Sequence, residues 1–294
     1  MVRTGHFNFG LTLPRTTLTP RACCSTMGRR TPMNSDDLNA LKTWFSEYCN
    51  SFSSALDEDQ KNFAVKRKHT DDVCSNMLLI AENLELDDQQ TMLAEAVALF
   101  HDVGRFPQYQ QYKTFQDSIS VNHAALGAKV LIENAALRGL PKEEQDLIVR
   151  AITLHNVLTI PGELDPDLLQ LVKMIRDADK LDIWRVFLEY YAQPKADQAT
   201  AVALGLPDVP EYSPEVLKQL HQRKLVLLSS LKTLTDFKLL QLAWIFDLNF
   251  PASFRIVAQR NYIDRFAITL PQTDAIADAV DAVREYLNEK LKNG

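Results

Sequence analysis

The sequence predicts an all-α protein, and three observations carry that expectation. From Leu38 onward, apolar residues recur three and four positions apart, the spacing that lines one face of an α-helix. Only 9 glycines occur in 294 residues, few for a chain built from β-turns. No two neighbouring stretches alternate in polarity as paired strands would. Hydrophobic residues make up 46%, so a sizeable core is available, in one large domain or two small ones.

The elements follow in order. Leu38, Leu41, Trp44, Phe45, Tyr48 and Phe52 mark a first amphipathic helix. A second spans about 59–84, with Phe63, Val73, Met77, Ile80 and Leu84 inward and His69 on the same stripe. A third runs over about 88–103 and closes on Gly104 as a left-handed C-cap. Residues 106–115, with Pro107, Tyr109 and Tyr112, read as an irregular aromatic loop. It could cover a site, stack on a base, or pack into the core. A fourth helix starts at Ser120 as N-cap and carries His123, Gly127, Val130 and Leu131 on one face. A fifth begins with Pro141 in its first turn and carries Ile148, Ile152 and His155. A sixth has Asp165 as N-cap, Pro166 next, and a stripe of Leu168, Val172, Ile175, Asp179 and Val186. Residues 193–214, rich in Pro, Gly and Asp, read as a long loop or helix break, and further helices are expected at about 214–232, 234–247, 252–259 and 273–291. Trp244, Ile245, Phe250 and Phe254 read as core, and His221 as exposed.

Residues 1–33 differ from the rest. They hold five arginines, many threonines, no lysine and no acid, and show no period. An organelle transit peptide and a disordered tail are alternatives. The reading favoured here is a non-structural extension ahead of a working start at Met33, followed by a single domain over 34–294. Its metal-site core lies at about 60–190, and its C-terminal helices lie at about 214–292. A net charge of −6 provides no basic field for stable nucleic-acid binding. No apolar run approaches the roughly 18 residues of a membrane span. Cys23, Cys24, Cys49 and Cys74 show no CxxC spacing; they suggest a reducing, cytoplasmic compartment and no thiolate zinc site.

The chemistry is concentrated on the apolar faces. His101 and Asp102 sit side by side at the buried end of the third helix, and His69, His123, His155 and Asp179 each lie on the inward stripe of another helix. Four of the 6 histidines are in this set. Each alone reads more readily as a hydrogen-bonded core residue than as a ligand. Together they would be costly to bury unpaired. Imidazole with carboxylate suits iron, manganese, zinc, nickel or cobalt, with magnesium also admitted. Six side chains exceed the needs of one ion with open positions and fit two ions bridged by Asp102. Lys180, directly after Asp179, and Arg105, after the His-Asp turn, could clamp phosphoryl oxygens. Alternatively Arg176, Asp177, Lys180 and Asp182 form a salt-bridged helix face.

His69 in Lys68-His-Thr70, the pair in Leu99-Phe-His-Asp-Val-Gly104, and Asp179 in Asp177-Ala-Asp-Lys-Leu-Asp182 give the chain a resemblance to the HD-domain metal-dependent phosphohydrolases, over about residues 60–190. His123 and His155 look like the additional ligands of the two-metal branch. The chain departs from the cyclic-dinucleotide phosphodiesterases of that branch: Arg105-Phe-Pro stands where a lysine is expected, and no Gly-Tyr-Pro follows. The resemblance implies a helical fold, divalent metal, and hydrolysis of phosphate esters or anhydrides. It also implies that Asp179 is a ligand with Lys180 near the phosphate, and that Asp177 makes a supporting hydrogen bond. One ion would then be held by His69, His101, Asp102 and Asp179, the other by Asp102, His123 and His155. The substrate is read as a small phosphorylated molecule, a nucleotide in the first instance. Two other classes share this ligand order or fold: a di-iron oxygenase, and a nucleotide-sensing module with a structural metal.

Overall fold

A computed structural model describes residues 31–194, 196–202 and 205–293. The described residues contain α-helix, short 3-10 turns and no strand. Residues 1–30 lie outside them, and so does most of the expected N-terminal extension. Met33, at its end, is buried, and its backbone N–H donates to both carboxylate oxygens of Glu144 at 3.1 and 3.2 Å.

Local chemistry fixes where each helix begins. Helix α1 (Ser35–Asn50) starts at Asn34, whose side chain accepts from the N–H groups of Asp36 and Asp37 while Asp37 reaches back to the Asn34 N–H. This reciprocal cap satisfies donors that a helix start leaves unpaired. Asp87 and Gln90 repeat the device for α3 (Asp88–Phe100), which follows the long α2 (Asp57–Asn83). Asn122, not Ser120, caps α5 (His123–Glu133) by accepting from the Ala125 N–H. Ser120 instead donates to the Gln116 carbonyl. Pro141 stands just ahead of α6 (Lys142–Leu154). Pro166 opens α7 (Pro166–Ala192), where its missing N–H costs nothing.

Two other expectations are corrected near the middle of the chain. Residues 106–115 are not an irregular loop: Arg105–Tyr112 form a helix, α4. Phe106 and Tyr109 are buried in its core-facing side, with Phe106 stacked on Phe63. Gly104 is not left-handed either, having φ −70°. What requires glycine there is space. A Cβ would meet the His123 carbonyl oxygen at 2.2 Å and the Gly127 nitrogen at 2.6 Å.

Helices α2 and α7 pack along each other, with α3 against both. Val73, Met77 and Ile80 from α2 meet Ile175, Leu181 and Trp184 from α7 in one core, all fully buried. Each such side chain contributes about 1.5–3 kcal/mol on leaving water. The C-terminal helices are α8 (Pro214–His221), α9 (Leu234–Ala243), α10 (Pro251–Gln259), α11 (Tyr262–Ile268) and α12 (Asp274–Asn293). Helix α8 ends at His221, about eleven residues short of expectation, and α11 falls where no helix is expected. The same apolar core continues through them from Met33 to Leu287. Asp177 of α7 ties them on: it accepts from the N–H groups of Asn249 and Phe250 and from Ser253 Oγ, at the start of α10. No helix among the described residues is long and apolar enough to cross a membrane.

Candidate metal centre

Five elements deliver the six expected side chains to one place. His69 lies in the middle of α2, His101 and Asp102 in the turn after α3, His123 at the first position of α5, His155 just past α6, and Asp179 within α7. The turn reaches α5 because Gly104 and Gly127 face each other without side chains.

The donor atoms form two groups. His69 Nε2 is 3.3 Å from His101 Nε2 and 3.1 Å from Asp179 Oδ1, and His101 Nε2 is 3.7 Å from the same oxygen. His123 Nε2 is 3.0 Å from His155 Nε2. Asp102 stands between them. Its Oδ2 is 3.5 Å from His69 Nε2, while its Oδ1 is 3.3 Å from His123 Nε2 and 4.0 Å from His155 Nε2. Ligands about 2.0–2.2 Å from a shared ion lie roughly 3–3.5 Å apart, so these spacings suit metal coordination.

The other nitrogen of every imidazole is committed outward. His69 Nδ1–H donates to Asp182 Oδ2, and His123 Nδ1–H to Asp117 Oδ2, each at 2.7 Å. His101 and His155 donate to the carbonyls of Ala98 and Ile152, three residues back, also at 2.7 Å. With Nδ1 carrying the proton of each neutral ring, the Nε2 lone pairs of His101, His123 and His155, joined by that of His69 once it sheds its second proton, converge with two carboxylates in a buried space. Facing acceptors repel, and buried acceptors need a partner. Divalent cations supply what this donor set lacks, and the outward hydrogen bonds are of the kind that orient metal-binding histidines.

Charge follows the same logic. Burial holds His123 and His155 down at about 4, so both are neutral and fit to ligate near neutral pH. Burial and Lys66 also act to lower His69, but hydrogen bonds to Asp179 and Asp182 outweigh them and raise it to about 9. In the metal-free protein that proton partly neutralises the first group. Burial alone would raise Asp102; the charges of Lys66, His101 and Arg105 instead hold it well below the usual carboxylate range.

The expected cations are placed differently from each other. Lys180 Nζ pairs with Asp247 at 2.7 Å, beside Arg176, and does not line the adjoining cavity. The alternative reading joins Arg176, Asp177, Lys180 and Asp182 in one salt-bridged face, but Arg176 and Lys180 both pair outside that set, with Asp247. Asp182 instead orients His69 and accepts from Arg185. Arg105 does line the cavity, but its guanidinium bonds Gln108, the Phe115 carbonyl and Asp117. It fixes Asp117 and, through it, His123. Asn156 adds a further hydrogen bond to Asp117 at 3.2 Å.

The cation nearest the centre is Lys66, absent from the sequence-based expectation, while Arg105 Nε stands farther off, 3.4 Å from Asp102 Oδ1. Lys66 Nζ is 2.7 Å from Asp102 Oδ2, and it lines the cavity. It precedes His69 by three residues on α2, within one turn on the same side, and that spacing was a usable signal. Asp117 offered none, because it lies in an aperiodic segment. The cavity has a volume of about 800 Å³ and reaches from His69 and His123 to Phe237 and Trp244.

Comparison with curated proteins gave no match, and comparison with solved structures gave none. Residues 67–184 match the family model described as HD domain, a stretch that holds all six converging side chains. Over residues 67–184 the chain is similar to HD domains.

Proposed function

We propose that this protein is a metal-dependent phosphohydrolase that cleaves a phosphate ester or anhydride of a small molecule with water. The observation that carries the proposal is the arrangement around Asp102, whose two oxygens face two separate groups of imidazole Nε2 atoms. HD domains are in general metal-dependent hydrolases. A structural site would be closed on all sides, whereas this one opens on a cavity of substrate size.

His69, His101 and Asp179 would hold one divalent ion, His123 and His155 the other, with Asp102 shared. Such a pair supplies Lewis acidity, acidifying a water and polarising a phosphoryl oxygen. The chain's own residues do the rest. Lys66, at the edge between Asp102 and the cavity, is placed to bind a phosphoryl oxygen and offset charge that grows in the transition state. Asp117 and Asp182 keep the His123 and His69 rings turned so that Nε2 faces inward. Arg105 and Asn156 hold Asp117 in that position. Arg105 is therefore a positioning residue, and Lys180 holds Asp247.

The test is phosphate release under strictly anaerobic conditions in ¹⁸O-labelled water. Turnover without oxygen, with one label entering the released phosphate, is the expected result. An absolute requirement for dioxygen would replace the hydrolase with the oxygenase reading.

A further inference from the structure

We infer that the cavity beside the metal centre selects a phosphate compound whose organic part is an apolar aliphatic or aryl group, not a nucleotide. The inference takes its reacting end from the phosphohydrolase reading and its specificity from the cavity walls.

The walls change character along their length. At the metal end they present His69, Lys66, His123, Asn122 and Asn156. Beyond that end, Ile183, Val186 and Phe187 of α7 face Val202, Leu231 and Phe237. Asp179, Ile183 and Phe187 follow one another at intervals of four, so the metal-binding carboxylate and the apolar wall are successive turns of one helix face. From Asp179 to Phe187 that wall runs about 12 Å, comparable with an extended chain of roughly eight carbons.

Among the described lining residues between 183 and 244, Ser229 is the only one with a hydroxyl, amide or charged side chain, and it is exposed. A ribose and a base would bring several donors and acceptors against this wall, where the Ser229 hydroxyl and the Trp244 indole N–H are too few to partner them. A hydrocarbon brings none. The mouth carries the same signature. Leu228 lines the cavity and is 64% exposed. An apolar residue left exposed on a cavity wall suits an apolar ligand.

The experiment is calorimetric titration of the metal-loaded protein with methyl-, butyl- and octylphosphonate, which cannot be hydrolysed, paired with phosphate release from octyl phosphate and adenosine monophosphate. Each fully buried methylene strengthens binding by up to about fourfold. Octylphosphonate is expected to bind at least about a hundredfold more tightly than methylphosphonate, and octyl phosphate to be turned over faster than the nucleotide. Val186→Asn should reduce the octyl-to-methyl affinity ratio tenfold or more. Leu228→Ser, at an exposed position where folding is not at stake, should reduce it by a smaller factor. Equal affinity for the methyl and octyl compounds overturns the inference whatever is hydrolysed. Chain-length-dependent binding with no phosphate released from any ester leaves the inference standing and removes the hydrolase reading. Hydrolysis of the nucleotide with no dependence on chain length does the reverse.

Discussion

Gly104→Ala is the sharpest test of how the centre is assembled. A Cβ at position 104 would lie 2.2 Å from the His123 carbonyl oxygen and 2.6 Å from the Gly127 nitrogen. Both are backbone atoms, so no side chain can swing away. Ordinary contact needs about 3.4 Å, so the turn bearing His101 and Asp102 must retreat from α5 by about 1 Å. Overpacking of this kind costs about 1–3 kcal/mol or more, which lowers the melting temperature by roughly 2–4 °C per kcal/mol in a domain of this size. The larger effect is on the centre. Asp102 Oδ1 now stands 3.3 Å from His123 Nε2, and 1 Å of added separation takes the carboxylate beyond reach of an ion held by His123 and His155. Elemental analysis should find about one ion per chain in the variant where the two-ion proposal expects about two in the wild type, and turnover should fall about a hundredfold or more, as misplacement by 1 Å commonly causes. Gly127→Ala is the control. Its Cβ would meet the Gly104 nitrogen and Val103 Cγ1 at 3.3 Å, tight but within reach of small adjustment, so its effects should be far milder. A Gly104→Ala protein with two ions, full turnover and an unchanged melting temperature would falsify the close-approach argument.

Asp102→Ala should remove both ions, since one carboxylate faces both groups; two ions per chain in the variant would end the bridging assignment. His123→Ala and His155→Ala should each lower the metal content from about two to about one, and the double variant should be hardly worse than either single, because ligands of one ion act as a unit. Metal content that stays constant across all three would show a single-ion site. Lys66→Met should lower kcat/KM by about 10²–10³-fold, the usual loss for one transition-state donor, while Lys180→Met, which leaves Asp247 paired with Arg176 alone, should act chiefly on stability; the opposite ranking would return the phosphate-binding role to Lys180. In the metal-free protein, His123 and His155 titrate at about 4 when folded against about 6.5 unfolded, so the unfolded state takes up more protons and stability falls as pH drops from 6.5 towards 4. His69, raised to about 9, contributes stability below 6.5 that is lost as pH rises through 9. Denaturant titration of chelated protein should therefore peak near pH 6.5, and a flat profile from pH 4 to 9 would contradict these assignments.

What was legible in the sequence was whatever a helical period can carry. His69, His123, His155 and Asp179 could be picked out because each interrupts an apolar stripe, and a polar residue on such a face needs a buried partner. The HD pair could be picked out because two ligands stand together where the stripe ends. The errors have a common physical cause as well. Glycine after a helix usually supplies positive φ and so reads as a cap; Gly104 instead supplies space, which depends on a close approach to Gly127 that no local pattern encodes. Residues 106–115 looked irregular because Pro107 falls near their start, yet proline is tolerated in a first turn, and Arg105–Tyr112 is a helix. The cations show the limit most clearly. Lys180 adjoins a ligand in sequence, but neighbours on a helix point about 100° apart, and its side chain turns to Asp247. Lys66 is one turn from His69 and therefore shares its side of α2, which brings Nζ to 2.7 Å from Asp102. On helices, a search for residues that act beside a ligand should count three or four positions away before it counts one.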